Sequence, residues 1–285
     1  MNLVHPTSVA EAVAALRAGD GRCLAGGQSL VAMMNAGLVA PDLLVSLRDV
    51  ADLARVTQTA DGGLELGAMT THDRVAALPP TSGPAEVVIR AAGVVGYPAV
   101  RNRGTIGGAV AHADPAADEP TALVAADAMI LVDGPAGARA IPAEAFFTGY
   151  FETAAAPGEI VTAVRLPAGP SGAVGHYEKF AIVAGDYAVA SVAVVLAVRD
   201  GRCGYARVAV GACGSRPIRV AAADALLIGN PWSADAVAEA GRLLADACDP
   251  IDDHRGGAAY RRRLVPRLAR RAIEAAWVRA EASLG

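Results

Sequence analysis

Two rhythms of apolar and polar positions run along the chain. Behind the capping box Ser8-Val9-Ala10-Glu11, the residues Val9, Ala12, Val13 and Leu16 recur at helical spacing, and Gly19 marks the expected stop. A short strand near Arg22–Ala25, a helix over Ser29–Ala36 and a buried-strand run at Leu43–Leu47 complete a small β-α-β unit ending near residue 55. A second unit opens on Leu64–Ala68. It continues with helices near 71–77 and 84–96, a short helix near Ala143–Phe147, and strands at Ala128–Val132 and Ile160–Leu166. Pro167-Ala168-Gly169-Pro170-Ser171-Gly172 reads as a linker. Beyond it come three expected strands, His176–Ile182, Ala188–Val198 and Tyr205–Gly211, joined by turns such as Arg199-Asp200-Gly201. Helices over Ala221–Leu227, Ser233–Ala247 and Ala258–Ala282 are expected to cover that antiparallel sheet. The pattern predicts an α+β chain in two domains, 1–170 (subdomains 1–55 and 56–170) and 175–285.

Two glycine pairs interrupt these rhythms, in Ala25-Gly26-Gly27-Gln28-Ser29-Leu30 and in Thr105-Ile106-Gly107-Gly108-Ala109. A glycine-rich turn bares its amide N–H groups, and a run of bare N–H groups is a nest for an anion such as a diphosphate. Two such turns, one subdomain apart, point to a dinucleotide gripped from both sides. The helix expected after the first turn adds its dipole to that nest. Neither turn matches G-x-G-x-x-G or G-x-x-x-x-G-K-[ST], which disfavours a nicotinamide nest of the Rossmann kind. Neither contains Lys or Arg, which suits binding through the backbone.

Composition narrows the chemistry. The hydrophobic fraction is 53% but aromatics are only 4%, so the core is built from Ala, Val, Leu and Ile. A net charge of −4 gives no electrostatic reason to expect nucleic acid. The one basic cluster, Arg261, Arg262, Arg263, Arg267, Arg270 and Arg271, shares its helix with the apolar stripe Leu264, Leu268, Ala272 and Ile273 and reads as a solvated or subunit-facing face. No run of roughly 18 apolar residues is free of charges or breakers, so no membrane span is expected. Met1–Pro6 lacks a basic start before an apolar stretch, which argues against a secretory signal and for the cytoplasm. Cys23, Cys203, Cys213 and Cys248 have no C-x-x-C spacing and read as small buried thiols rather than cluster ligands. His112 and Asp114 lack a third metal ligand nearby, and Ser29 lacks recognisable triad partners. Among the 25 Lys plus Arg residues, Lys179 is the one lysine, which suggests a place that wants a compact ammonium rather than a planar fork.

The run Arg101–Asp118 resembles the second flavin-binding segment of the medium subunits of molybdenum hydroxylases, the family of aerobic carbon monoxide dehydrogenase and xanthine dehydrogenase. Further landmarks are Gly67-Ala68-Met69-Thr70-Thr71-His72, Phe147-Thr148-Gly149-Tyr150, Glu178-Lys179-Phe180, Gly185-Asp186-Tyr187-Ala188 and Tyr260-Arg261, so the resemblance spans essentially the whole chain. It implies a two-subdomain FAD-binding fold of the PCMH type followed by a three-stranded sheet with helices. It also implies FAD as the cofactor, with the molybdenum cofactor on a large partner subunit and 2Fe–2S clusters on a small one, in a dimer of heterotrimers. Electrons would pass from those clusters through FAD to an external acceptor, with no general acid or base on this chain.

The residues that the resemblance marks for FAD are Ala25, Gly26, Gly27, Gln28, Ser29, Leu30, Thr105, Ile106, Gly107, Gly108, Ala109, Asp118, Val161, Lys179 and Tyr187. Ser29 and Thr105 would add hydroxyl donors to the backbone nests. Asp118 maps to an acidic residue near the adenosine end, or else caps the helix at Glu119-Pro120-Thr121. Lys179 maps to a lysine near the flavin, or else is a surface lysine. Tyr187 maps to a tyrosine beside the isoalloxazine, or else is a core residue heading a strand. Ala109 stands where the family pattern has Asn, Ala99 where Gln is frequent, and Met34-Asn35-Ala36-Gly37 replaces a basic stretch. A β-branched residue at Gly27 or Gly107 is expected to empty the site and spare the fold. The other readings are a free-standing FAD oxidoreductase of the same fold and a flavin-free scaffold.

Overall fold

The structure is a computed structural model that describes residues 1–17 and 21–282. The first unit holds β1 (Asn2–Val4), α1 (Val9–Leu16), β2 (Gly21–Leu24), α2 (Leu30–Asn35) and β3 (Leu43–Ser46). Its three strands are parallel in the order β1-β3-β2. Ser8 caps α1 by accepting the Glu11 N–H, and Ala12 and Val13 are buried against β3 and Ile160. The Glu11 carboxylate takes the Thr7 N–H rather than closing the box on Ser8. The expected stop at Gly19 lies outside the described residues. α2 buries no residue.

The second unit is a five-stranded antiparallel sheet, ordered β4-β5-β10-β6-β7, from β4 (Val56–Gln58), β5 (Leu64–Gly67), β6 (Met129–Asp133), β7 (Arg139–Pro142) and β10 (Ile160–Leu166). A hairpin of β8 (Phe147–Gly149) and β9 (Glu152–Thr153) stands beside it. The helices of this unit are α3 (His72–Ala76), α4 (Gly83–Gly93), α5 (Pro98–Arg101), α6 (Ile106–His112), α7 (Asp118–Ala125) and α8 (Ala143–Phe146). α7 is wholly buried.

The third unit is an antiparallel sheet of β11 (Val174–Phe180), β12 (Ala190–Arg199), β13 (Arg202–Gly211) and β14 (Ile218–Arg219), with α9 (Ala221–Leu227), α10 (Ala234–Asp246) and α11 (Ala258–Ala282). The expected three strands are joined by β14, only two residues long and too short to show alternation. The period-two pattern of β12 sends Ala193 and Val195 toward the core of the second unit, and Val192, Val194, Leu196 and Val198 toward the helices α9–α11. This sheet is therefore a shared wall, apolar on both faces. Gly175 of β11 makes a close approach to α4: a Cβ there would overlap the Gly83 carbonyl and the Val87 amide. Glu86 of α4 accepts the Gly175 N–H (2.8 Å) and pairs with Arg279 of α11, whose guanidinium also donates to the Gly175 carbonyl. The arginine face of α11 is not wholly solvated: Arg261 is buried and donates to the Val189, Ala212 and Gly256 carbonyls and to Asp253. No helix among the described residues is long and apolar enough to cross a membrane.

Candidate functional site

The two glycine turns, far apart in sequence, meet in space. Gly26 lies so close to the segment before the second turn that a Cβ would overlap the Arg103 carbonyl and come within 2.9 Å of Gly104 Cα. Gly27 takes φ +77°, a left-handed conformation that favours glycine, and starts the turn into α2. Among the described residues the N–H groups of Gly26, Gly27, Gln28, Ser29 and Leu30 have no acceptor, and Ser29 makes no side-chain cap. The first turn is the bare nest that its sequence predicts.

The second turn differs from expectation. Residues 106–109 form the start of α6, with Thr105 as its cap, and their amides are already used: Ile106 N–H donates to Thr70 O (3.0 Å), Gly107 to Ala68 O (2.9 Å), Gly108 to Thr105 Oγ1 (3.1 Å) and Ala109 to Thr105 O (3.0 Å). The buried Thr105 hydroxyl is thus an acceptor as well as a remaining donor. Gly107 serves packing, because a Cβ there would overlap Ala68. A β-branched residue at Gly107 would therefore break the fold, which corrects the expectation that it would empty the site alone. Gly108 is the position that faces the first turn: a Cβ would sit 3.0 Å from Thr105 Oγ1 and 3.8 Å from the Ala25 Cβ, and nothing else outside its own helix and chain neighbours lies within 4 Å. A turn with unpaired N–H donors beside a position that lacks a side chain suits a diphosphate, which needs donors and close backbone approach. The neighbouring Thr70 Oγ1, buried without a partner, adds a spare polar atom beside the second turn.

Beyond the turns lies a buried group of charges. Asp118 is the first residue of α7, and Ala117 holds the capping position, so the capping alternative does not hold. Both Asp118 oxygens are taken: Tyr177 OH donates to Oδ1 (2.7 Å) and Lys179 Nζ to Oδ2 (2.8 Å). The carboxylate keeps further lone pairs, but at 4% exposure it offers a ribose little access. It also cannot mark the adenosine end while Lys179, its direct partner, marks the ring end of an extended dinucleotide. Burial pushes the Asp118 carboxyl up to about 6 although Lys179 opposes it. Burial, with Asp118 beside it, raises the Tyr177 phenol well above its usual range.

One residue along α7, Glu119 Oε1 lies 2.5 Å from His72 Nδ1 at the start of α3, with both side chains nearly excluded from water. Burial is the largest single influence and alone would lower the imidazole and raise the carboxyl, but the attraction and hydrogen bond of the pair, with Asp118 beside His72 and Lys179 beside Glu119, together outweigh it, so His72 is raised and Glu119 lowered. Sequence reading missed this pair and Tyr177. The one available signal was two adjacent acids opening an otherwise apolar stretch at 118–125.

Lys179 also donates to the Val94 carbonyl (3.2 Å) and lines a cavity of about 430 Å³ with Tyr97, Arg101, Val183 and Gly185. Lys179 is therefore not a free surface lysine. Tyr187 stands outside the strand it was expected to head, half exposed, with the Arg255 guanidinium 5.1 Å above its ring. Val161 is buried in β10 at an irregularity in the pairing with β6. It adjoins Thr162, whose carbonyl accepts the Ala68 N–H below Gly107. Val161 packs in the core rather than lining the groove.

Residues 1–169 match the FAD-binding domain of molybdopterin dehydrogenases, and residues 175–276 match the C-terminal domain of the carbon monoxide dehydrogenase flavoprotein. The carbon monoxide dehydrogenase medium chain of Afipia carboxidovorans is 35% identical over 97% of this chain and 96% of its own. The nicotine 6-hydroxylase medium subunit of Paenarthrobacter nicotinovorans is 37% identical over 91% of each. Among solved structures, carbon monoxide dehydrogenase from Hydrogenophaga pseudoflava superposes with a TM-score of 0.94 at 34% identity, over 98% of both chains. With the fold, the bare nest and both halves in agreement, the chain belongs to the family of FAD-binding medium subunits of molybdenum-containing dehydrogenases.

Proposed function

We propose that the chain accepts electrons from 2Fe–2S clusters on a small partner subunit, which drain a molybdenum cofactor on a large one, and hands them to an external acceptor. The proposed assembly is a dimer of heterotrimers in the cytoplasm, with 1–170 as the flavin-binding part and 175–285 as its C-terminal cover. When bound, FAD supplies the one- and two-electron exchange that such a relay needs. The observation that carries this reading is the row of five unpaired N–H groups, Gly26 to Leu30, opposite the open Cβ position of Gly108.

In this proposal, residues 25–30 and 105–109 flank the diphosphate: the first turn through its amides, the second through close approach at Gly108 and the Thr105 hydroxyl proton. Lys179 serves the ring end, where its ammonium favours added negative charge. Asp118 acts through Lys179 and not through adenosine. Tyr187 stands at the exposed side of the same region, and Val161 supports the floor. The two turns and Lys179 thus hold, orient and charge-balance the cofactor, with Asp118, Tyr187 and Val161 in supporting places, while none moves a proton in catalysis.

Gly108→Val tests the placement. The new side chain fills the groove without meeting backbone outside its own helix, so the folded chain is expected to lose FAD binding by at least about a hundredfold at unchanged circular dichroism. Full flavin occupancy in this variant would remove the groove from consideration. The visible spectrum and metal content of the complex from its native source test the partners: flavin with co-eluting iron and molybdenum is expected, and flavin on the chain alone would favour a free-standing oxidoreductase.

A further inference from the structure

Residues 25–30 and 105–109 contain no Lys or Arg, yet a diphosphate brings about two negative charges into a half-buried groove. A histidine paired with a buried carboxylate lies close behind those turns. Glu119, His72, Gly104 and Gly26 stack in that order. Glu119 Oε1 is 2.5 Å from Nδ1 of the ring, and the opposite ring edge faces Gly104, where a Cβ would lie 2.8 Å from Cδ2 and 3.0 Å from Nε2. Gly104 in turn abuts Gly26 and accepts the His72 N–H (3.0 Å). The carboxylate is thus at the far end of the pair and the imidazolium edge at the near end, so the positive end of the dipole points to the junction of the turns.

We propose that His72, kept as an imidazolium by Glu119, is a positioning cation for the cofactor diphosphate and acts through Gly104 on the junction of the two glycine turns. The inference rests on the placement of the diphosphate proposed above. The charged groups around the ring are Glu119 and Asp118 from α7, which favour the imidazolium, and Arg101 from α5, which opposes it. Lys179 of β11 bears on the far side of that pair through Asp118 and Glu119. On balance the ring's pKa is raised from its ordinary value. Gly104 then has two duties: it lets the first turn approach, and it leaves the ring edge uncovered.

The sign follows from linkage. If the anion favours the imidazolium, FAD binds the protonated chain more tightly, and affinity falls as pH rises through the titration of His72. The test uses the full chain stripped of FAD, with affinity read by quenching of flavin fluorescence between pH 7 and 9.5, a window above the Asp118 titration near 6. The wild-type chain is expected to lose about tenfold in affinity across the window. His72→Gln is expected to be weak and flat, at the high-pH level of the wild type. Glu119→Gln, which frees the ring to follow its burial, is expected to be equally weak at pH 7. A flat wild-type profile would overturn the proposal without recourse to any variant, and so would a His72→Gln chain that keeps the wild-type step. Gly108→Val separates the two readings: loss of FAD there beside a flat wild-type profile removes the cation and keeps the groove, whereas retention of FAD there removes both.

Discussion

At the scale of single residues, Lys179 and Asp118 form the pair whose removal is most informative. The folded chain holds the Asp118 proton up to a pH of about 6, against an ordinary value of 3.8, so the unfolded chain releases it first. Stability therefore falls as pH rises between those values, by about 3 kcal/mol for this group. Lys179→Met leaves the carboxylate buried with the Tyr177 hydrogen bond but without its counter-charge. It is expected to cost about 3 kcal/mol at pH 8, where Asp118 is ionised, and less than half of that at pH 5, where it is protonated in either chain. Urea unfolding at the two pH values reads the difference, and equal costs would mean that the lysine acts by packing alone. Lys179 was legible in the sequence because it is the one lysine among arginines. His72 and Glu119 were not, because a buried ion pair between residues 47 positions apart leaves no local pattern. The double occupation of Asp118 was equally invisible, since it depends on Tyr177 and Lys179 of β11, about sixty positions on, reaching the start of α7.

At the scale of elements, the long amphipathic runs predict themselves. β10, α9 and α11 begin and end at the expected residues, because seven or more positions of consistent periodicity leave one register. Three-residue edge strands such as β1 and β4 carry too little alternation to read, and so does β14. The second glycine pair reads as a turn because glycine is a poor helix former, yet Thr105 caps it and Ala68 leaves no room for a side chain, so tertiary contact overrides propensity and α6 begins there. The same kind of contact fixes β11 on α4. Gly175→Ala would drive a methyl into the Gly83 carbonyl and the Val87 amide, which only backbone movement can relieve. A loss of about 3 kcal/mol, or about 5 °C in Tm, is expected from a thermal melt. A loss under 1 kcal/mol would show that the two elements slide apart freely.

At the scale of the whole molecule, the four-stranded sheet has no free face, since one side closes the flavin half and the other carries α9–α11. The Glu86–Gly175–Arg279 contacts tie all three layers together. The proposed site draws on both halves as well, with the glycine turns from one and Lys179 from the other. FAD at a hundredfold excess over its Kd is therefore expected to raise the melting temperature of the whole chain in a single transition, by about 4 °C for about 2.7 kcal/mol of linked stability. Two transitions, with only the first displaced, would mean that the halves melt independently.

The unequal state of the two glycine turns has a kinetic consequence. The second turn has its amides satisfied before any ligand arrives, so its geometry is set by folding. The first turn keeps five amides without an acceptor among the described residues and leads into a helix with no fully buried residue. In the proposed site, the amides that gain partners when FAD loads are therefore those of the first turn, against a second turn that is already complete. Amide exchange at Gly26–Leu30 should slow sharply on loading while Ile106–Ala109 stay protected throughout.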